Sequence, residues 1–185
     1  VPGTIQQVIV GRMDRLDEGL RRLLLMASVI GRVFRRRVLE MTAGQPNLER
    51  DLWALEDRGL IYEERAVPEL EYSFRHVLVQ EALVQSLPGQ QRAAIHSRVV
   101  AALEALYGDN LAEHCEELAH HAVASGDASK AVPYLLQAGE KAFLASRLRG
   151  ARSEKTVKRM YDLVKQARRE LDDAETRVWE EKRET

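Results

Sequence analysis

The stretch from Leu60 to Leu87 constrains the fold most strongly, because its apolar period changes within one short run. Up to Phe74, apolar residues recur at every second position on either side of a break at Val67-Pro68-Glu69. This two-residue period is typical of half-buried strands joined by a turn. After Phe74 the apolar residues follow helical spacing. We therefore expect two strands, a tight turn and a helix, with His76 where the second strand becomes the helix.

Four helical patterns precede these strands. Thr4 and Asn47 stand at expected N-caps, and Asp17 or a nearby residue should start the second helix. Gly31 and Gly59 stand where two of the helices should end. The apolar stripes are Ile5, Val8, Ile9, Met13 and Leu16, then Leu20, Leu23, Leu24, Ala27 and Ile30, then Phe34, Val38, Leu39 and Met41, then Leu48, Leu52 and Leu55. Helices followed by a two-stranded hairpin and one more helix predict a winged helix, a mainly α fold with a small two-stranded β-wing.

Pro88-Gly89 ends this first segment, and the rest of the chain is predicted to be helical. A stripe from Ile95 to Leu106 indicates one long helix. Two shorter helices should form a hairpin around Gly126-Asp127. Beyond residue 150, alternating charges around an apolar stripe indicate a long C-terminal helix. The predicted domains are 1–87 (helical linker and winged helix), 88–149 (helical hairpin) and 150–185 (a charged helix, either a divergent repeat or a tail).

Composition argues against several classes of protein. The 185 residues carry 28 Lys and Arg against 29 Asp and Glu, so no overall field draws the chain to nucleic acid or to a membrane. No apolar run is close to the length of about 18 residues that a membrane span needs, and the first residues show no signal-peptide pattern. Cys115 is the single cysteine, which excludes an internal disulfide and favours a cytoplasmic location. Because the chain begins with Val1 and a helical pattern follows at once, we expect it to belong to a longer protein.

Three segments carry a resemblance to a known family. They are VPGTIQQVIVGRMDRLDEGLRRLLLMASVIG, LEYSFRHVLVQEALVQSL and LAHHAVASGDASKAVPYLLQAGEKAF, and they span about residues 1–145. Together they resemble the region after the nucleotide-binding domain in bacterial signal-transduction ATPases with numerous domains. Within that group the chain looks most like regulators that join an AAA-type ATPase module to tetratricopeptide repeats, some with an adenylate or guanylate cyclase domain, and like LuxR-like regulators.

The third segment is similar to a tetratricopeptide repeat. Gly126-Asp127 stands at its turn, and Ala131, Leu135 and Ala138 stand at its small-large-small positions. Leu118, Ala119 and Ala122 are expected to face them from the first helix of the hairpin. Cys115 replaces the usual aromatic residue of that first helix, and no clear second repeat begins near Ser146. The resemblance implies a surface that takes up a protein partner.

Phe74-Arg75-His76-Val77-Leu78 is similar to the winged-helix histidine motif of apoptotic and plant-resistance nucleotide switches. In those relatives the histidine contacts the β-phosphate of bound ADP and holds the closed, inactive state. The resemblance implies that His76 senses nucleotide in a longer protein, since an imidazole N–H can donate to a phosphate oxygen. The chain has no G-x-x-x-x-G-K-[ST] loop, so ADP or ATP would be bound by an upstream nucleotide-binding domain, and we predict no cofactor for this chain. The alternative is a histidine that only caps or packs the junction.

Two other clusters are candidates for binding. The first is the basic cluster Gly31-Arg32-Val33-Phe34-Arg35-Arg36-Arg37. It could contact DNA phosphates or an acidic neighbouring domain, or it could simply be a solvated helix face. The helix that would enter the major groove, residues 47–58, carries four carboxylates against two arginines, which argues against DNA. His114 and His121 lie seven residues apart, and metal ligands on a helix lie three or four apart. We therefore expect His114, His120, His121 and Cys115 to be packing residues, and we predict no metal site.

No pattern in the chain indicates catalysis. Adjacent acids such as Glu116-Glu117 and Asp172-Asp173 point to different sides of their helices, and no Ser-His-Asp or Cys-His arrangement is apparent. We predict a non-catalytic, inter-domain regulatory module of a multidomain signalling ATPase, which couples nucleotide state through His76 to a protein-interaction repeat region. The alternatives are a winged-helix DNA-binding transcription regulator and a helical protein-interaction scaffold.

Overall fold

The computed structural model describes residues 16–148 and divides the chain into two compact units. Of the described residues, the first unit comprises those up to 109 with 124–126, and the second comprises 110–123 and those from 127 onward. The helix predicted between Thr4 and Leu16 falls outside the described residues apart from Leu16 itself. The charged helix predicted at 150–185 lies wholly outside them.

The described chain is mainly helical, with one small antiparallel sheet. In chain order its elements are helix α1 (Glu18–Ile30), strand β1 (Val33–Arg35), helix α2 (Arg36–Ala43), helix α3 (Glu49–Asp57), strand β2 (Ile61–Arg65), strand β3 (Glu71–Phe74), helix α4 (Val77–Ser86), helix α5 (Gly89–Tyr107), a 3-10 turn (Gly108–Asn110), helix α6 (Cys115–Ser125) and helix α7 (Ala128–Leu148). Among these helices, none combines the length and the apolar character needed to cross a membrane.

The sheet has three strands in the order β1-β3-β2, with antiparallel neighbours. The two strands predicted from the sequence are present as β2 and β3, but the sheet has a third strand that was not predicted, because Phe34 belongs to β1 and not to a helix. A strand of three residues is too short to show alternation. Tertiary contacts fix it: the Phe34 ring is buried, with its centroid 6.0 Å from that of Tyr72 and 5.8 Å from that of Phe74.

Burial along the strands differs in part from the predicted alternation. Leu60 and Ile61 are both buried, whereas Tyr62 is only half-buried. Leu60 stands before β2, at the end of the turn that leaves α3, so it does not follow the period of the strand. On β3 the predicted pair Tyr72 and Phe74 is buried as expected.

Polar groups and glycines set the ends of the helices. The Asp17 Oδ1 accepts a hydrogen bond from the Leu20 N–H at 2.9 Å and caps α1, as predicted. The cap predicted at Asn47 is wrong, because Asn47 has a left-handed backbone with φ 65° and α3 begins only at Glu49. The Leu48 N–H at this helix start donates instead to the Glu40 Oε1, at 3.4 Å. A carboxylate eight residues back along the chain gives no sequence pattern that a capping rule could find.

Helix α5 completes the core of the first unit by packing against α1 and α2. Its buried apolar residues are Val99, Val100, Ala102 and Leu103, and they join the buried side chains of α1 and α2. Burial of several aliphatic side chains stabilises such a core by about 1.5–3 kcal/mol each. The first compact unit therefore continues beyond residue 87, the end of the first predicted domain.

Helices α6 and α7 reverse direction at Gly126, whose backbone is left-handed with φ 80°. The Asp127 carboxylate accepts hydrogen bonds from the Ser129 hydroxyl at 2.6 Å and the Lys130 N–H at 3.3 Å, so it caps α7. These bonds, that of Ser129 first, lower the pKa of Asp127. Lys141 donates to the Glu113 carbonyl at 3.0 Å, which places the middle of α7 beside the start of α6. The two helices therefore run antiparallel, as a hairpin requires.

The apolar face of α7 differs from the prediction at one position. Ala131 is buried as expected, but Leu135 is exposed and Leu136 is the buried leucine. Neighbouring residues of a helix are separated by only about 100° of rotation, so the spacing alone does not distinguish the two leucines. Pro133 lies inside α7, and the helix continues through it.

Gly59 provides a test of how α3 leads into β2. Its φ is +66°, and an added Cβ would meet nothing closer than the Arg75 Nε at 3.9 Å, so the cost of a side chain is backbone strain alone. We expect Gly59→Ala to lower the free energy of unfolding by about 1–2 kcal/mol in urea titrations. Gly89→Ala, in the first turn of α5 with open space around it, is the matched control and should leave stability unchanged or slightly higher. Equal stability of the two variants would contradict the backbone strain expected at position 59.

Candidate functional site

His76 stands between β3 and α4, in the cap position of α4. Its backbone is extended, with φ −132° and ψ 121°, and its carbonyl accepts the first turn's hydrogen bond from the Val79 N–H at 3.0 Å. The imidazole is exposed and makes no hydrogen bond that caps the helix. The capping alternative raised from the sequence therefore does not describe this side chain, and the ring is accessible at the surface of the first unit.

The backbone that carries His76 is held from both sides. Before it, Phe74 is buried and the Arg75 N–H donates to the Leu60 carbonyl at 3.1 Å, which ties the end of β3 to the start of β2. After it, Val79 and Leu83 are buried on the inner face of α4. The Gln80 Nε2 also donates to the Ser28 carbonyl of α1 at 2.7 Å. An exposed imidazole on a fixed backbone is suited to contact another molecule or domain with little loss of conformational entropy.

The two residues after His76 extend this exposed region. Val77 and Leu78 are 42% and 50% exposed, and with His76 they form what we call the His76 surface. It combines one hydrogen-bonding ring with two apolar side chains at the start of a helix, where backbone N–H groups lack partners within the helix. Such a surface can donate to an oxygen acceptor and bury apolar area at the same time.

The basic cluster at residues 31–37 is largely used within the fold. The Arg36 Nε lies 2.8 Å from the Glu40 Oε1, and this hydrogen bond is the main reason that the pKa of Arg36 is raised. The Arg37 Nη1 lies 3.4 Å from the Glu69 Oε1. The Arg35 guanidinium lies 5.2 Å from the centre of the Tyr107 ring. Three of the four arginines thus face partners in the protein, which leaves fewer positive charges for DNA phosphates.

A polar contact joins the β2–β3 loop to the C-terminal end of α5. The Tyr107 hydroxyl donates to the Glu69 Oε2 at 2.7 Å, while Arg37 reaches the other oxygen of the same carboxylate. Burial, followed by this hydrogen bond, raises the pKa of Tyr107. Glu69 stands at the break between the two predicted strands, and Tyr107 lies 38 positions further along the chain. At this separation no periodic pattern indicates the contact.

Of the histidines in the second unit, His121 is buried, as expected for a packing residue, whereas His114 is half-buried and His120 is exposed. Cys115 and His121 are buried, and the ring of exposed His120 stands edge-on to that of His121 with centroids 5.0 Å apart. The His114 Nδ1 lies 3.8 Å from the Glu117 Oε2 on the same helix. In the part of the chain that the structure describes, no cluster of three His, Cys, Asp or Glu residues has the geometry to hold a metal ion.

A cleft of about 200 Å³ opens in the first unit where α1, the end of α2 and α5 meet. It is lined by Gly19, Arg22, Leu23, Met26, Ala43, Gln45 and Arg98. Arg22 is already paired with Glu18, at 3.2 Å and in an exposed position. Sites for small molecules are usually about 300–1,000 Å³, so the cleft is small and nothing else in its lining selects a ligand. The sequence could not reveal it, because three separate elements supply its walls.

Comparison with known protein families finds none that matches this chain, and comparison with curated protein sequences gives no significant match. Arguments about function therefore rest on the residues themselves. The most specific of these is the exposed imidazole of His76, on a backbone fixed by β3 and α4.

The contact between Tyr107 and Glu69 can be tested by removing a single oxygen atom. We expect Tyr107→Phe to lower the free energy of unfolding by about 1 kcal/mol, because the Glu69 carboxylate loses its hydroxyl donor. Tyr62→Phe is the matched control: the same atom is removed from a half-buried ring, and no hydrogen bond of that hydroxyl is seen in the described part of the chain. Urea unfolding of both variants measures the effect, and an equal loss in the two would contradict the assigned role.

The raised pKa of Tyr107 predicts the pH range in which this contact acts. The neutral phenol is favoured in the folded state, so its contribution to stability is complete below the unfolded pKa of about 10. That contribution is lost as the pH rises through the folded pKa. We expect the stability difference between the wild type and Tyr107→Phe to be constant at neutral pH and to shrink above about pH 10. Urea unfolding across the alkaline range, with phenolate absorbance as a second readout, would show a constant difference if the pKa were not raised.

Proposed function

We propose that this chain is a non-catalytic regulatory module that lies between the nucleotide-binding domain and the protein-interaction repeats of a multidomain signalling ATPase. The observation that carries the proposal is the position of His76, exposed on a fixed backbone at the junction of β3 and α4. An imidazole in this place can donate a hydrogen bond to a phosphate oxygen of ADP held by an upstream domain. ADP or ATP would therefore belong to the longer protein, at a cytoplasmic location.

The proposed fold of the first unit is a winged helix. The order helix, strand, helix, helix, strand, strand supports this, as does the sheet order β1-β3-β2 with antiparallel neighbours. The third strand agrees with this assignment, because a winged helix joins its hairpin to a short strand that follows the first helix. In this interpretation α3 is the helix that would enter DNA in a DNA-binding relative, and the β2–β3 loop is the wing.

The proposed role of the second unit is to bind a protein partner through a tetratricopeptide-like hairpin. Helices α6 and α7 run antiparallel around Gly126, with small buried residues Ala119, Ala122 and Ala131. Small side chains allow two helix backbones to approach closely, as they do in repeats of this kind. The exposed Leu135 is a difference from the expected pattern and offers apolar area to a partner.

The proposed mechanism is a two-state docking switch. Contact between ADP and His76 would favour the closed arrangement, and its loss would favour the open one. Within the first unit, the Tyr107–Glu69 hydrogen bond ties the β2–β3 loop to the end of α5, the helix that leads along the chain toward the second unit. A displacement of the loop is thereby linked to α5.

DNA binding is a second candidate, which the order of helices and strands favours. Charge opposes it, since α3 with Arg58 carries four carboxylates and two arginines, and three arginines of the basic cluster are paired internally. A positive protein surface is what drives association with phosphates. Anisotropy titration with duplex DNA separates the candidates, because binding with a steep dependence on salt would favour DNA.

The nucleotide-sensing role of His76 is tested in the longer protein that the proposal requires. We expect His76→Ala to weaken ADP retention tenfold or more, because one hydrogen bond to a charged oxygen is worth about 1.5–3 kcal/mol. His120→Ala removes an exposed imidazole from α6 and should leave ADP retention unchanged. Bound nucleotide is measured after gel filtration. Wild-type retention in His76→Ala would remove the sensor role.

A further inference from the structure

Trp53 is the most exposed aromatic side chain that the structure describes, at 65% exposure in the middle of α3. Leu52 and Leu55, on the opposite side of the helix, are fully buried and hold α3 against the core. Tryptophan combines a large apolar area with low conformational entropy, and it is enriched among residues that dominate protein interfaces. The fold itself does not use the indole, since most of the side chain is in solvent.

Carboxylates flank the indole along the helix. Glu49 and Asp57 stand four residues before and after Trp53, and both are exposed. Residues four apart lie on one face about 6 Å apart along the axis. We call Glu49, Trp53 and Asp57 the Trp53 strip, a negative, aromatic and negative group in succession. The face of a tryptophan ring attracts cations through its quadrupole, and the flanking carboxylates attract cations through their negative charge.

The two arginines of this segment do not cancel the charge of the strip. The Arg58 guanidinium turns back to the Ala54 carbonyl, at 2.7 Å, so it serves the end of the helix. Arg50 is exposed three residues before Trp53, at the edge of the strip. Glu56 adds a further carboxylate on the other side, with its Oε1 accepting the Glu63 N–H at 2.7 Å. The surface around Trp53 therefore favours a cationic partner and repels phosphate groups.

We propose that the Trp53 strip is a docking site for a cationic segment of a partner protein in extended conformation. Alternate residues of an extended chain are about 6.6 Å apart, close to the spacing of the three groups on the strip. Arginines at every second position would place one guanidinium over the indole and one beside each carboxylate. Arginine suits both contacts, since its planar group stacks on aromatic rings and binds carboxylates with two hydrogen bonds. This site does not depend on nucleotide sensing by His76.

The test uses the whole 185-residue chain and a fluorescein-labelled peptide with three arginines at alternate positions. We expect saturable binding in anisotropy titrations at physiological ionic strength, and about fivefold to tenfold weaker binding by Trp53→Ala. Trp53→Phe should retain part of the affinity. Circular dichroism and urea unfolding verify that the variants fold, which the exposure of Trp53 favours. Equal affinity of Trp53→Ala and the wild type would overturn the proposal.

Charge controls separate this site from general attraction to an acidic protein. Glu49→Gln should weaken binding, and Arg50→Gln should strengthen it. Glu81→Gln removes an exposed carboxylate from α4 and should have no effect. An equal loss in Glu49→Gln and Glu81→Gln would overturn the proposal. So would self-association that Trp53→Ala abolishes, since it assigns the strip to a second copy, or duplex DNA binding that depends on Trp53.

Discussion

The central position of β3 is the constraint on which the rest of the first unit depends. This strand is paired on both edges, and its ring side chains pack with Phe34 of β1. Because β3 is held from both sides, the chain leaves it in a defined direction. The cap residue His76 and the start of α4 are thereby placed at the surface. Loss of the aromatic contact would free β1, one edge of the sheet, and with it the link from α1 to α2.

Two carboxylates of the first unit, those of Glu40 and Glu69, each hold two groups in place. Glu40 binds Arg36 and also accepts the N–H of Leu48 at the start of α3, so one carboxylate fixes two helices. Glu69 similarly receives Arg37 and the hydroxyl of Tyr107. Arg36, Glu40 and Glu69 are partly buried, where an ion pair is screened less than it is in water, whereas Arg37 is 60% exposed. The pair of Arg22 and Glu18 is exposed to solvent, so it contributes little to the stability of the fold.

The two exposed regions of the first unit differ in chemistry. The His76 surface joins a hydrogen-bonding ring to apolar neighbours, whereas the Trp53 strip joins an aromatic face to carboxylates. Both are held by buried residues of the same short helices, namely Val79 and Leu83 in α4 and Leu52 and Leu55 in α3. Neither surface includes a lysine or arginine, the residues that bind a DNA backbone. Together they favour a role in contacts between proteins or domains.

Local signals in the sequence determined much of the fold. The period change after Phe74 predicted β3 and α4, and Asp17 caps α1. The left-handed glycines Gly59 and Gly126 end a helix and turn the chain, as expected. These features depend on residues within a few positions of one another. The position of His76 at the strand–helix junction could likewise be predicted from the order of residues alone.

Tertiary structure alone decided the features that depend on distant residues. The strand β1 exists because Phe34 packs on β3, the start of α3 is satisfied by Glu40 and not by Asn47, and the side chain of Glu69 meets Tyr107. The sequence likewise did not predict whether the His76 ring would be buried or exposed. Periodicity and capping patterns depend on interactions between residues close in sequence. These contacts join residues that are distant in sequence and meet only when the chain folds, so the sequence pattern does not predict them.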